Sequence, residues 1–179
     1  HGQIFAYDIE ARRLAPLYER AKRAGVRNIQ IISPASGSEK LTTLEGRMDV
    51  VFLDAPCSGS GTWRRRPDTK WRLTAQQLEQ RMTEQDEVLK EGAKYVRPGG
   101  TMIYVTCSVF AEENEDRIAH FIKNHPDFTV LSARSAILDT GLVKSPDSIP
   151  VESREGTLRL TPATTSTDGF AITRLVKRS

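Results

Sequence analysis

Apolar positions along the chain follow two periods, and the switches between them mark out its elements. Ile4-Phe5-Ala6-Tyr7 is a short apolar run that ends in Asp8 and predicts a strand. Leu14, Leu17, Tyr18 and Ala21 follow at the i, i+3, i+4, i+7 spacing of one buried helical face. They predict a helix from about Glu10 to Ala24, which Gly25 is placed to end. Ile29 to Ile32 predicts a second strand, and Ser33 to Gly46, with its Pro, Gly and Ser, a loop. Asp49 to Leu53 predicts a third strand, so nearly all apolar that cover on both faces is expected.

Thr74-Ala75-Gln76-Gln77 is a capping-box pattern that opens a helix towards Tyr95, with Leu78, Met82, Val88 and Leu89 as its apolar positions. Pro98-Gly99-Gly100 turns the chain into a fourth strand, Thr101 to Thr106, which stops at Cys107. An acidic helix start, Glu112 to Asp116, sends Ile118, Phe121 and Ile122 inward before Pro126. Strands alternating with helices predict an α/β fold with a doubly wound, mainly parallel sheet. The tail breaks that rhythm. Leu158-Arg159-Leu160 and Gly169 to Val176, joined by a Thr/Ser-rich segment, predict an antiparallel pair, and Leu138 to Gly156 an irregular excursion. With no repeat and no linker, the 179 residues read as one domain.

Composition narrows the class. The chain is 38% apolar and 27% charged, as suits a soluble globular domain, and its apolar runs fall far short of a membrane span. No signal or targeting segment is visible. Two cysteines without secretory features argue for a reducing, cytoplasmic setting. There is no CxxC, and His1, His120 and His125 are scattered, so no metal is expected. A net charge of +3 says little by itself; its distribution says more. Arg64, Arg65, Arg66, Lys70 and Arg72 crowd one short loop against Asp68 alone, a footprint that suits phosphates and hence nucleic acid. A merely solvated loop would have the same composition.

In open parallel sheets, ligands gather at the carboxyl ends of the strands. Three of the four predicted parallel strands end in reactive or hydrogen-bonding groups: Asp8, then Asp54 with Cys57, then Cys107. If the last two strands are neighbours, their backbones lie about 4.8 Å apart, and both thiols can address one small ligand. A thiolate suits attack on an electron-poor ring carbon, and a carboxyl such as Asp54 can hold a ring edge. Asp8 stands where an acid often bonds ribose hydroxyls, although a helix-start role reads the same. The cysteines alone are equally compatible with apolar filling or with a structural or redox pair.

Longer motifs carry a resemblance. The segment from Asp54 to Thr62 (DAPCSGSGT), the following Arg-Arg-Arg-Pro67-Asp68 and Lys70-Trp71-Arg72, and Thr106-Cys107-Ser108 resemble the Sun/Fmu family of RNA (cytosine-5) methyltransferases. The likeness continues in Arg97 to Gly100 (RPGG), Glu113-Asn114-Glu115, Arg159 to Pro162 (RLTP) and Asp168-Gly169-Phe170, so it covers nearly the whole chain. It implies a Rossmann-like S-adenosylmethionine-dependent domain acting on RNA, ribosomal RNA first and transfer RNA next. Cys107 would be the nucleophile towards carbon 6 of cytosine, Asp54 would hydrogen-bond the base edge, and Cys57 would help remove the carbon-5 proton and release Cys107. Asp8 and Asp54 would contact the cofactor. Arg64, Arg65, Arg66, Lys70 and Arg72 would meet RNA, with Trp63 and Trp71 either stacking on bases or packing.

Two departures go with the resemblance. No glycine-rich turn occurs at the start, so the first strand and that turn are expected to precede His1, leaving a partial domain whose isolated activity is not expected. No acid follows Ile32 in Ile32-Ser33-Pro34-Ala35, where one would contact adenine. Amino-group methyltransferases of the same fold typically carry an Asp/Asn-Pro-Pro-Tyr type motif where this chain has Asp54 to Cys57, and DNA enzymes lack the second cysteine. A noncatalytic RNA-binding fragment is the reading from another class.

Overall fold

The structure is a computed structural model that describes residues 2–35, 37–141, 143, 145–150, 152–153 and 156–179. The chain divides into two compact units, His1–Glu45 and Gly46–Ser179. In the first, β1 (Ile4–Tyr7) pairs in parallel with β2 (Ile29–Ile32), Ile4 opposite Ile29 and Tyr7 opposite Ile32. Helix α1 (Ala11–Arg23) joins them. It closes as expected at Gly25, which adopts φ +64°. The Gly25 and Val26 amides return to the Lys22 and Ala21 carbonyls at 3.1 and 3.0 Å, satisfying carbonyls that a helix end leaves open. The predicted apolar face is only half used: Leu14 is buried, whereas Tyr18 is 58% exposed. Two strands present too narrow a surface to cover four positions. The predicted Ser33–Gly46 loop contains a short helix, α2 (Ser38–Leu44), which buries Leu44; seven residues are too few for a visible period, and Ser36 lies outside the described residues.

The second unit is built on a sheet whose hydrogen-bonded order is β3 (Met48–Asp54), β4 (Val96–Thr106), β7 (Phe170–Lys177), β5 (Phe128–Leu131), with β6 (Thr157–Leu160) also on β7. β3 and β4 are parallel; β7 is antiparallel to β4, β5 and β6. Strands β3, β4 and β5 therefore share one direction, with β7 running the other way between β4 and β5. The expected closing pair is present as β6 and β7, while β5 was not anticipated from the sequence because only four residues separate Asp127 from Ser132. The turn expected at Pro98-Gly99-Gly100 is corrected: β4 already starts at Val96, and these residues form an irregularity within it, where Gly99 adopts φ +72° and Met48 pairs with Val96 but Val50 with Thr101.

Helix α3 (Pro67–Arg72) is followed by α4 (Ala75–Tyr95), which starts with the predicted capping box: the Gln77 amide donates to Thr74 Oγ1 and the Thr74 amide to Gln77 Oε1. Its buried positions are Gln85, Leu89, Gly92 and Ala93, and the glycine allows close approach, since a Cβ there would sit 2.8 Å from a Leu53 methyl. Leu89, Val96, Met102 and Leu175 are fully buried, joined by Tyr104, Ile118 and Phe121 of α5 (Glu115–Asn124), and Phe128. A second cluster joins Ala133 of α6 (Ala133–Asp139) to Ile149 and Leu158, before α7 (Pro162–Thr165) leads to β7. The expectation that β3 is covered on both faces is corrected. Val51 and Leu53 pack on the core, but Val50 and Phe52, which alternate with them along the strand and so point to the other face, are 57% and 64% exposed. The predicted excursion Leu138 to Gly156 begins as the end of α6 and includes a 3₁₀ turn at Pro146–Ser148; Leu142, Lys144, Val151, Arg154 and Glu155 within it lie outside the described residues.

Candidate active site

Because β3 and β4 are parallel neighbours in register, Asp54 lies opposite Val105, and both chains leave the sheet at the same end. The Ala55 amide still donates to the Val105 carbonyl at 3.0 Å, which carries the pairing one residue beyond β3. From there Cys57 and Cys107, both half-buried, meet with their sulfurs 3.4 Å apart. At that separation the two sulfurs are hydrogen-bonded. The bond holds the Cys107 thiol down from 9.0 to about 7, against burial and the Asp54 charge, which pull it up. The same bond, with burial, pushes Cys57 well above the ordinary thiol range. The first proton to leave the pair therefore leaves Cys107, and Cys57 keeps the second. Asp54 is exposed at the end of β3.

Two glycines shape the Cys57 loop. Gly59 takes φ +70°, and a 3₁₀ turn follows at Ser60–Thr62. The Gly61 amide donates to the Cys107 carbonyl at 2.9 Å, and the Gly169 amide to the Gly61 carbonyl at 2.8 Å. A Cβ on Gly61 would stand 2.2 Å from the Gly169 carbonyl oxygen, so no larger residue fits there. The residues leading into β7 are thus laced to the Cys57 loop, and that loop in turn to Cys107.

Glu112 to Asp116, expected as one acidic helix start, divides into a 3₁₀ turn at Ala111–Glu113 and the start of α5 at Glu115. Glu113 and Asn114 are fully buried there, facing inward rather than to water. This is the part of the site that sequence reasoning missed. The available signal was an excess of hydroxyl donors, Ser58, Ser60, Thr106 and Ser108, in two loops that need an acceptor. Glu115 is also buried and is held by the Arg159 guanidinium.

The five expected cations divide. Arg65 is paired with Asp168 through Nε and Nη2, both at 2.5 Å, and Arg64 reaches the same carboxylate at 3.7 Å. The pairing holds the Asp168 carboxyl below the usual range and lifts the Arg65 guanidinium. Arg72 pairs with Asp68 at 3.4 Å, Lys70 Nζ lies 5.6 Å from the ring centres of both Trp63 and Trp71, and Arg66 is exposed. The tryptophans divide too: half-buried Trp63 sits edge-on to Phe110, while Trp71 is 83% exposed. Asp8, in the other unit, receives the Glu10 amide on Oδ1 at 2.7 Å, and its Oδ2 stands 3.8 Å from Arg13.

The family model of 16S rRNA methyltransferase RsmB/F matches residues 1–176. The chain belongs to this family. Among curated members of the RsmB/F group, ribosomal RNA small subunit methyltransferase B of Klebsiella pneumoniae subsp. pneumoniae is 34% identical over 99% of the chain, and that of Cronobacter sakazakii 32% over 99%. The chain spans 37% of the length of each. Among solved structures, PH0851 is 34% identical with a TM-score of 0.82 over 98% of the chain and 37% of its own. NSun6 from Pyrococcus horikoshii, solved with SFG, is 27% identical with a TM-score of 0.76 over 99% of the chain and 42% of its own. The RsmB/F assignment and these neighbours agree with the α/β, Rossmann-like methyltransferase fold expected from the sequence.

Proposed function

We propose that this chain supplies the reacting cysteines of an S-adenosylmethionine-dependent enzyme that methylates carbon 5 of cytosine in RNA, the RNA of the small ribosomal subunit first. The 3.4 Å approach of Cys57 and Cys107 carries the reading, since it makes one thiolate available near neutral pH and keeps a proton beside it. Cys107 sulfur adds to carbon 6 of the ring, and the electron pair of the 5,6 double bond moves into the ring edge. Exposed Asp54 holds that edge by accepting a hydrogen bond from the exocyclic amino group of the cytosine. The cofactor, when bound, supplies an electrophilic methyl group to carbon 5. The carbon-5 proton then leaves, its electron pair restores the double bond, and the bond from Cys107 to carbon 6 breaks.

Cys57 takes part in that second half. While Cys107 is a thiolate, its charge keeps the Cys57 proton in place; once the sulfur is bound to carbon, that charge is gone and Cys57 becomes more acidic. Cys57, only half-buried, then releases its own proton to water, and its thiolate takes the carbon-5 proton; the base becomes available only after the adduct exists. Each unit carries a carboxylate that fits an adenosyl cofactor in its chemistry: Asp8 of the first, just past β1, suits ribose hydroxyls, and Asp54 of the second is an exposed acceptor at the end of β3. For RNA, Arg66, Lys70 and the exposed face of Trp71 offer phosphate and stacking contacts, with Arg64, Arg65 and Arg72 available once their carboxylate partners yield. The target base has to be unpaired or turned out of its stack.

Covalent capture tests the reading. In a full-length enzyme that contains this chain, with cofactor and small-subunit ribosomal RNA, Cys57→Ala is expected to accumulate a protein–RNA adduct that survives denaturing electrophoresis, and Cys57→Ala with Cys107→Ala to form none. Adduct formation that ignores Cys107, or a Cys57 variant that releases RNA like the parent, would refute it. Capture of transfer RNA in place of ribosomal RNA would move the substrate and leave the chemistry.

A further inference from the structure

One carboxylate touches both cysteine loops. Glu113 accepts the Ser58 amide at 2.7 Å on Oε1 and the Ser58 hydroxyl at 2.5 Å on Oε2, and Oε2 also takes the Ser108 hydroxyl. Ser58 follows Cys57 and Ser108 follows Cys107. Gln85 Nε2 of α4 donates to Glu113 Oε1 at 3.1 Å and to the carbonyl of Pro56, just before Cys57, at 2.8 Å. The Glu113 carbonyl is fixed by the Tyr104 hydroxyl at 2.8 Å. The next residue completes the bracket: Asn114 Oδ1 accepts Thr106 Oγ1 at 2.6 Å, and its Nδ2 donates to the carbonyls of Ser108 and Phe110 at 3.1 and 2.7 Å.

We propose that Glu113 is a positioning residue, whose carboxylate clamps the Cys57 and Cys107 loops together and fixes the two sulfurs at hydrogen-bonding separation. Only an ionised carboxylate fits that place, because four donors converge on two oxygens and each oxygen can accept two. A glutamine would turn an NH2 group towards some of those donors and open the clamp on one side. The inference rests on the proposed function only for what the thiols do afterwards; the clamp itself is measured without RNA or cofactor.

Charge and position have opposite signs here, which makes the clamp testable. The groups acting electrostatically on Cys107 are Cys57, Asp54, Glu113 and Arg65, and the Glu113 charge by itself pulls the Cys107 thiol up. Removing that charge with no change of geometry would therefore make Cys107 more acidic. Loss of the clamp does the reverse, since Cys107 loses the Cys57 hydrogen bond that holds it down. The experiment is site-resolved iodoacetamide alkylation of the intact chain across pH, read by mass spectrometry, with circular dichroism as the check on folding. Glu113→Gln is expected to raise the midpoint for Cys107 by about one pH unit, a tenfold change in the thiol–thiolate equilibrium. An unchanged or lowered midpoint in a folded variant overturns the proposal. Ser58→Ala removes one hydroxyl contact without changing charge and is expected to raise the midpoint by roughly half as much; should Glu113→Gln not fold, an unmoved midpoint in Ser58→Ala overturns the proposal instead. A clamp that behaves as expected, in an enzyme containing this chain that captures no RNA, would leave Glu113 in its role and sink the proposed function.

Discussion

Replacing Gly61 by alanine tests whether the Cys57 loop is held by backbone approach. The new Cβ would lie 2.2 Å from the Gly169 carbonyl oxygen and 2.7 Å from its Cα, both rigid backbone atoms, so the loops must part. Overpacking of this kind costs roughly 1–3 kcal/mol. Parting also strains two backbone hydrogen bonds, Gly61 to Cys107 and Gly169 to Gly61, each worth about 1 kcal/mol net. The sum, about 3–5 kcal/mol, corresponds to a fall in Tm of about 6–20 °C for a chain of this size. Differential scanning calorimetry measures it, and the two cysteines, titrated with a coloured disulfide reagent, should become more accessible. Gly59→Ala is the control: its φ of +70° costs about 1–2 kcal/mol, yet the nearest atom to a Cβ there is Thr62 Oγ1 at 3.7 Å. If Gly61→Ala melts no lower than Gly59→Ala, the close approach does not hold the loop.

Three further outcomes are expected. Cys57→Ala removes the donor that lowers Cys107, so the alkylation midpoint of Cys107 should rise from about 7 towards the ordinary 9.0; the sign follows from loss of a hydrogen bond to the anion, and a midpoint that stays near 7 would contradict it. Trp71→Ala, at an exposed position, should leave Tm unchanged but weaken RNA binding by the 1–3 kcal/mol of one stacked base, seen as a five- to 150-fold rise in Kd by filter binding; equal affinity would assign RNA contact elsewhere. Asp168→Asn frees Arg64 and Arg65, so the dependence of RNA affinity on salt should steepen, by about 0.7 in log–log slope for each phosphate gained on a single strand, and an unchanged slope would show that these arginines do not face RNA.

Much of this was legible because the signals were local. Gly25 closing α1, the Thr74–Gln77 capping box and the strand-end placement of Asp54 and Cys107 each depend on a few adjacent residues. What stayed hidden depends on residues distant in sequence. Glu113 looks like any helix-start acid until Ser58 and Gln85 are seen to face it. Arg64 and Arg65 read as free cations because Asp168 lies about a hundred residues downstream. Val50 and Phe52 show how composition can mislead about cover: an all-apolar run says that a strand can be buried on both faces, not that something lies on each. The short elements α2 and β5 fall below the length at which a period can be counted.

The placement of β7 has a consequence for how the protein is made. This strand lies between β4 and β5 and pairs with β6 as well, and the residues leading into it, Asp168 and Gly169, secure the arginine loop and the Cys57 loop. It is also synthesised after all three of its partners. Until residues 168–177 are made, then, β4 and β5 lack the strand that pairs with both, the Cys57 loop lacks its tie to Gly169, and the arginine loop lacks Asp168. A chain cut short before Asp168 thus loses the middle of its sheet rather than an edge, and with it one of the ties on the Cys57 loop.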